Sequence, residues 1–397
     1  MAGEVKEKCA VAAIVSDNQD LQASALGHEI LFALQHRGTE ASGMVSMTSD
    51  NFMHAHRENG MVPDVYDASA IAKLAGSVII GHNRYSTNGS KKDHPQPFID
   101  PAIGFAFAHN GNLPITDRLE DHLQADSIKT SQVNDSEMMG LAIAQNIRRG
   151  DELPDAIRRA YPLFRGAFSC VAMHDGMVVA FRDRMGIRPL AIGSIDGGYA
   201  VSSETCGLDI INADYEREVL PGEMAVITPK GIESEQITEG QSKLDIFEYV
   251  YFARHDSMLY GKRVNEVRRK FGEHLAIQHP PITDKLDNIV VLPVPDTSVP
   301  AAEGYSEHLG LRMRTGIIKN RYIGRTFMQP THERRDTQLK RKHNIIPEVV
   351  TGKDVVIIDD SIVRLNTMPR LVRQAYILGA KSVSVLIASP PVRFPDY

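Results

Sequence analysis

Two architectures are expected in this chain: antiparallel sheets packed with helices over roughly the first 230 residues, then a parallel α/β domain. Three features predict this. Short strand-like runs crowd the first part, with only two main helical stretches among them. After about residue 240 the runs become almost wholly apolar, the mark of strands buried on both faces. The length, 397 residues, also exceeds what one core ordinarily holds.

In chain order, CAVAAIV (Cys9 to Val15) reads as a buried strand. From Leu21 to Gln35, Leu26, Ile30, Leu31 and Leu34 fall at helical spacing, and Gly38 is a stop. SVIIGH and GFAFAH are short strands. A second helix is expected from Ser136 to Arg149, with Asn134 or Asp135 as its cap. AFSCVAMH and GMVVAFR are strands parted by the turn pair Asp175-Gly176. The polar stretch from Pro229 to Ser242 is expected to connect the halves. Beyond it, DNIVVLPVP and DVVIIDDSIV are buried strands, with helices at Pro300 to Leu309 and Met368 to Leu378.

Bulk properties narrow the function. A net charge of −6 argues against a general nucleic-acid binder, which carries a basic field. No apolar run approaches the ~20 residues of a membrane span, and the run from Ala10 to Val15 is too short for a secretory signal. A cytoplasmic protein is expected. The three cysteines (Cys9, Cys170, Cys206) form no C-x-x-C pair, so neither a cysteine-rich metal site nor a disulfide is expected.

Cys9 opens a buried strand, where a cysteine can be simply a small core residue. Other segments give it company. Arg84 follows an apolar strand in GHNRYSTNG, Asn110 and Gly111 lie in FAHNGNL, and Asp135 starts a helix in VNDSE. Separately, these could be a surface ion pair, a type I′ turn and a helix cap. Together they supply what a glutaminase needs. Cys9 is the nucleophile, and Asn110 with the Gly111 N–H is an oxyanion hole. Arg84 meets the glutamine carboxylate, and Asp135 meets its ammonium. A thiol of pKa ~8.5 needs activation at neutral pH. An α-amine of pKa ~7.7–8.0 can act as its base, but only on residue one.

The half from Cys9 to about Lys230 resembles the class II glutamine amidotransferases. The resemblance rests on the Cys, QHRGTEASG, GHNRYSTNG, QPF, AHNGNL, NDSE, DRMGIRPL, SSET and PGE. It implies an αββα four-layer sandwich of the N-terminal-nucleophile type and a leader, residues 1–8, cut at Lys8–Cys9. The family's usual Cys-Gly start is Cys9-Ala10 here.

In the second half, Val355 to Ile358 lead straight to Asp359-Asp360. Acids at the carboxyl end of a parallel strand can meet ribose hydroxyls and a hard cation, or simply cap a helix. The segment resembles the motif of type I phosphoribosyltransferases. EYVYFARHDSMLYG, VLPVPDTSVPAA, IIKNRYIGRTFMQP, LKRKHN and ASPPVRFPDY resemble the amidophosphoribosyltransferase family in particular. That resemblance implies residues 9–235 as glutaminase and 236–397 as phosphoribosyltransferase, the latter stopping short at Tyr397. It places phosphoribosyl pyrophosphate (PRPP) on Asp359, Asp360, Ser361, Arg364, Thr367, Lys319 and Arg325, and Mg²⁺ on Ser298, Asp359 and Asp360. Residues 325–344 would form a basic loop closing over the pyrophosphate.

The implied reaction takes glutamine, PRPP and water to 5-phosphoribosylamine, glutamate and pyrophosphate, the first step of purine synthesis. Ammonia would pass from one site to the other. Feedback by purine nucleotides and a homo-oligomer are implied as well. No iron–sulfur cluster is expected, because Asp245 stands where some members carry a cysteine. One departure bears on the transferase. The family's Arg-Gly-Thr-Thr reads Arg364-Leu365-Asn366-Thr367, which replaces a glycine able to bring backbone close to a phosphate. Two alternatives follow: a glutaminase with an impaired transferase half, or a non-catalytic PRPP- or nucleotide-sensing regulator.

Overall fold

The computed structural model describes residues 9–18, 20–85, 95–131, 133–282, 285–320, 343–362 and 367–391. Two compact units account for them. The first runs to Asp245 and adds Ser257–Tyr260; the second takes Ile246–Asp256 and the chain from Gly261 onward.

The first unit holds two sheets. Seven strands run in the order Asp214–Glu218, Ala191–Ile195, Gly198–Ser202, Ala10–Ser16, Val78–Arg84, Ala41–Met47 and Met53–Asn59. Six run in the order Gly231–Gln236, Glu223–Thr228, Met177–Arg182, Arg165–His174, Phe105–Ile115 and Phe98–Asp100. All neighbours pair antiparallel.

Ala10–Ser16 is buried along its whole length because its two faces serve two cores. Ala10, Ala12 and Ile14 pack with Ile30 and Leu31 of the helix Ala23–Ala33. Val11, Ala13 and Val15 pack with Ala106, Ala108 and Val171 of the six-stranded sheet. That sheet's far face turns Phe105, Phe107 and Phe168 to the helices Asp117–Ala125, Asp135–Arg148 and Leu153–Ala160. The layers are therefore helix, sheet, sheet, helix.

Two sequence expectations are corrected here, and one alternative reading is set aside. Two of those helices, Asp117–Ala125 and Leu153–Ala160, were not expected, since each is short and gives few apolar positions. Asn110-Gly111 is not a hairpin turn. The strand runs on through it, pairing Asn110 with Ser169 and Gly111 with Phe168. The polar stretch from 229 to 242 is not a free connector. It carries the edge strand Gly231–Gln236, whose exposed face explains its polarity, and Gln241 N–H then donates to the Arg184 carbonyl at 2.7 Å.

In the second unit a parallel sheet runs in the order Arg312–Met313, Ile289–Pro293, Asp354–Asp359, Ser382–Ile387. Helices Val264–Gln278 and Val299–Leu309 cover one face through Leu275, Ala301 and Tyr305. Met368–Ile377 covers the other through Met368, Leu371 and Ala375. The first two helices touch at glycines: a Cβ on Gly272 would sit 1.8 Å from the Ala301 carbonyl oxygen. Connections leave Ile289–Pro293 first to one side and then to the other. The crevice at the carboxyl ends of Ile289–Pro293 and Asp354–Asp359 is therefore a topological switch point, where open α/β sheets bind ligands.

Candidate active sites

Cys9 immediately precedes the strand Ala10–Ser16, whose first residue pairs with Asn83. That register brings Cys9 to the end of Val78–Arg84 that carries Arg84. The thiol is buried, with Sγ 3.9 Å from the Tyr85 carbonyl oxygen. The Cys9 carbonyl accepts a hydrogen bond from Arg37 Nε at 3.1 Å. Arg37 Nη1 in turn lies 2.6 Å from Glu204 Oε1, and both side chains are fully buried. His36 Nε2 reaches the same oxygen at 2.7 Å, and the Ser257 hydroxyl donates to Glu204 Oε2 at 2.6 Å. Burial works to raise the Glu204 carboxyl. The His36 and Arg37 charges and the hydrogen bonds from His36 and Ser257 outweigh it and hold the carboxyl far below its usual range. The other two cysteines are core residues, and burial pushes the Cys170 thiol well up.

The second sheet meets the first at this end: His82 Nε2 lies 3.1 Å from the His109 carbonyl oxygen. His82 is two residues before Arg84, and His109 directly precedes Asn110. The Asn110 side chain is fully buried, and neither its Oδ1 nor its Nδ2 has a partner among the described residues. Such an amide costs about 1–3 kcal/mol unless something completes its hydrogen bonds. Gly111 must be glycine, because a Cβ there would lie 2.0 Å from the Ala167 carbonyl oxygen. The helix cap is Asn134, in a reciprocal capping box with Glu137. Asp135, the first helical residue, accepts from Ser136 N–H through Oδ1 at 2.9 Å, and its Oδ2 accepts from Leu113 N–H at 3.1 Å, tying the helix start to the Asn110 strand.

In the second unit, Asp359 ends its strand and Asp360 follows. Asp360 N–H donates to Asp359 Oδ1 at 3.0 Å, and the Ser361 hydroxyl donates to Asp360 Oδ1 at 2.7 Å. Burial first, and the Asp360 charge second, push the Asp359 carboxyl up to about 7. From the neighbouring strand's end, the Thr297 hydroxyl donates to Asp360. Ser298, the position expected on the metal, turns its hydroxyl to the Val294 carbonyl instead. Lys319 Nζ is 2.6 Å from Asp296 Oδ2 on the same loop, and Thr367 precedes the helix Met368–Ile377. Arg325, Arg364 and most of the loop 325–344 lie outside the described residues, as do the leader 1–8 and Leu365-Asn366.

A glutamine amidotransferase domain model matches residues 82–209. Curated relatives match nearly the whole chain. The amidophosphoribosyltransferase of Synechococcus elongatus is 41% identical over 99% of this chain and 80% of its own length. That of Archaeoglobus fulgidus is 36% identical over 98% of this chain and 84% of its own. The chain belongs to the amidophosphoribosyltransferase family. The glutamine PRPP amidotransferase of B. subtilis, solved with ADP and GMP, superposes with a TM-score of 0.86 at 35% identity, covering 98% of this chain and 83% of that one. A structure described as the allosteric regulatory enzyme of purine biosynthesis gives a TM-score of 0.87 at 35% identity, over 98% of this chain and 82% of that one.

In this chain Asp245 pairs with Arg188 at 3.2 Å, both side chains buried. Sequence reasoning did not single out Arg37 and Glu204, although both lie in the quoted motifs. The available signal was a charged residue set directly beside an apolar strand or helix. Their pairing carries a stability prediction. Glu204→Gln leaves the buried Arg37 charge poorly compensated and is expected to cost about 3–5 kcal/mol in urea unfolding at pH 7. Because the native carboxyl titrates below its unfolded value, the wild-type advantage is present above the ordinary Glu range and shrinks as pH falls below it. An unchanged midpoint at pH 7 would show that the pair contributes nothing.

Proposed function

We propose that this chain makes 5-phosphoribosylamine, glutamate and pyrophosphate from glutamine, PRPP and water. The observation that carries the reading is the presence of both half-sites in one chain. A buried Asn110 amide, without a partner among the described residues, follows His109, whose carbonyl meets His82 of the sheet that Cys9 leads into, and a carboxylate pair lies at the switch point of a parallel sheet.

In this reading Arg84 takes the glutamine α-carboxylate and Asp135 its ammonium. The Cys9 sulfur attacks the amide carbon, and its proton passes to the α-amine of the same residue once residues 1–8 are removed. Asn110 Nδ2 and Gly111 N–H stabilise the oxyanion, each donor worth roughly 3 kcal/mol of barrier. The amine returns its proton to the leaving nitrogen, ammonia departs, and water releases glutamate from the thioester. Ammonia then attacks the ribose C1 of PRPP, forming a C–N bond as the C–O bond to pyrophosphate breaks.

Asp359 and Asp360 would hold Mg²⁺ and the ribose hydroxyls, with Thr297 and Ser361 orienting Asp360. The fit is chemical: two adjacent carboxylates, one held up by burial and then by the other's charge, favour a hard cation. Among the described residues no third acidic, His or Cys ligand joins them. This suits an ion that keeps waters and takes substrate oxygens. When bound, Mg²⁺ supplies positive charge against the departing pyrophosphate. Lys319, Arg325, Arg364 and Thr367 are assigned to the phosphates and Ser298 to the metal surroundings. Purine-nucleotide inhibition and homo-oligomerisation are part of the proposal, the first supported by the B. subtilis relative solved with ADP and GMP. A cytoplasmic location is proposed too. No described helix is long and apolar enough to cross a membrane.

Pyrophosphate release tests the whole reading. Release is expected with glutamine and also with ammonium chloride. Release with neither, from protein that still hydrolyses glutamine, would mean an impaired transferase half. Intact mass tests the leader: active, glutamine-hydrolysing protein that keeps residues 1–8 would overturn the α-amine mechanism.

A further inference from the structure

Gln96 lies on none of the elements that carry the proposed glutaminase residues, yet its side chain binds two of those elements, the strand of Asn110-Gly111 and the helix that starts at Asp135. Its Oε1 accepts from His109 N–H at 2.7 Å, and its Nε2 donates to the His109 carbonyl oxygen at 3.2 Å. A primary amide here does what a neighbouring strand would do, binding both polar groups of one residue. That residue is the one immediately before Asn110-Gly111. The same Nε2 is 3.1 Å from Ser136 Oγ, on the residue immediately after Asp135. His109 Nδ1 closes the loop to Ser136 Oγ at 2.9 Å.

The Gln96 backbone is gripped from the opposite sheet. Arg57 Nη1 donates to the Pro97 carbonyl at 2.8 Å and to the Pro95 carbonyl at 3.4 Å. The Gln96 carbonyl oxygen presses so closely on Gly43 that a Cβ there would stand 2.1 Å away. Its main chain is thus anchored on the seven-stranded sheet, while its side chain holds the six-stranded sheet and the start of the Asp135 helix. His109 is fully buried, with Nδ1 4.0 Å from Asp135 Oδ2; burial lowers its imidazole pKa, and the Asp135 charge opposes that lowering. The junction joins hydrogen bonds to a close approach between His109 and the Asp135 carboxylate.

We infer that Gln96 is a positioning residue for glutamine hydrolysis, setting the Asn110–Gly111 oxyanion donors against the Asp135 carboxylate through His109 and Ser136. The inference rests on the glutaminase reading above. It assigns no contact between Gln96 and the substrate. A displacement near 1 Å of such donors is enough to slow a reaction about 100-fold.

The test uses full-length processed enzyme carrying Gln96→Leu, which keeps the size and removes both hydrogen-bonding groups. Expected is a fall of about 100-fold in kcat for glutamate release, with a smaller rise in KM for glutamine. Inactivation by the glutamine analogue 6-diazo-5-oxonorleucine, which needs the oxyanion hole, slows in parallel. Alkylation of Cys9 by iodoacetamide and ammonia-dependent pyrophosphate release, which do not need it, stay at wild-type rates. Ser136→Ala, a milder change that keeps the backbone clamp, is expected to give a smaller loss of the same pattern. Wild-type glutamate release in both variants would overturn the inference. So would an equal loss of alkylation and ammonia-dependent activity, which marks general misfolding. If wild-type enzyme shows no pyrophosphate release, the transferase reading fails, while glutamate release and analogue inactivation still decide on Gln96.

Discussion

Cys9→Ser is expected to end glutamine-dependent phosphoribosylamine synthesis while ammonia-dependent synthesis continues. Replacing a nucleophile that acts as one unit with its base costs at least about 10⁴-fold, because the remaining groups cannot substitute for it. A serine hydroxyl keeps the size but is far harder to ionise than a thiol, and the α-amine is too weak a base to make up the difference. The surroundings are expected to tolerate the change. The bond from Arg37 Nε goes to the Cys9 carbonyl, a main-chain group that serine retains. Folding stability in urea is therefore expected to stay close to wild type. The checks are glutamate release, and pyrophosphate release with each nitrogen donor. Glutamine-driven pyrophosphate release at the wild-type rate would remove Cys9 from the mechanism.

Much of the fold was legible because burial leaves a pattern. The strands VAAIV, VIIG and VVIID sit between two covered faces and read as unbroken apolar runs. The helix Asp135–Arg148 announced itself by its cap and its buried stripe. What escaped had weak local pattern. Gly231–Gln236 is an exposed edge strand, so its charged residues imitate a linker. The helix Val264–Gln278 packs through a few residues and a glycine contact, and no capping side chain marks its start.

The candidate site divides along the same line. Cys9 and Asp135 stand at the start of regular elements and Arg84 ends one, while Asn110 and Gly111 lie inside a strand and stand out only as a polar pair after an apolar run. Gln96, His109, Arg37 and Glu204 are held by contacts across 13 to 168 positions of sequence, and no local spacing encodes those. Thr297 illustrates the limit. Sequence points to the loop after Ile289–Pro293, but only the folded chain shows that Thr297, and not Ser298, meets Asp360.

Asp359→Asn is expected to lose pyrophosphate release with either nitrogen donor and, in chelator, to make the protein more stable at pH 8. The two effects share one cause. Burial and the Asp360 charge raise the Asp359 carboxyl from 3.8 to about 7. A raised acid binds its proton more tightly folded than unfolded, so ionising it above pH 7 opposes folding. The cost is absent below the unfolded value, grows through the interval, and is complete above about 7. A shift of this size corresponds to at most about 4 kcal/mol. Asparagine keeps the shape and carries no charge, so in chelator its melting temperature is expected to exceed that of wild type by several degrees at pH 8. The difference narrows as pH is lowered to 5. Magnesium is expected to reverse the order, since binding to the native carboxylates stabilises wild type and not the variant. A carboxylate kept for packing or helix capping would give the opposite signs: loss of stability on substitution, and no response to the cation. If Asp359→Asn melts below wild type in chelator at pH 8 and still releases pyrophosphate, the strand-end pair is structural and the PRPP site must lie elsewhere.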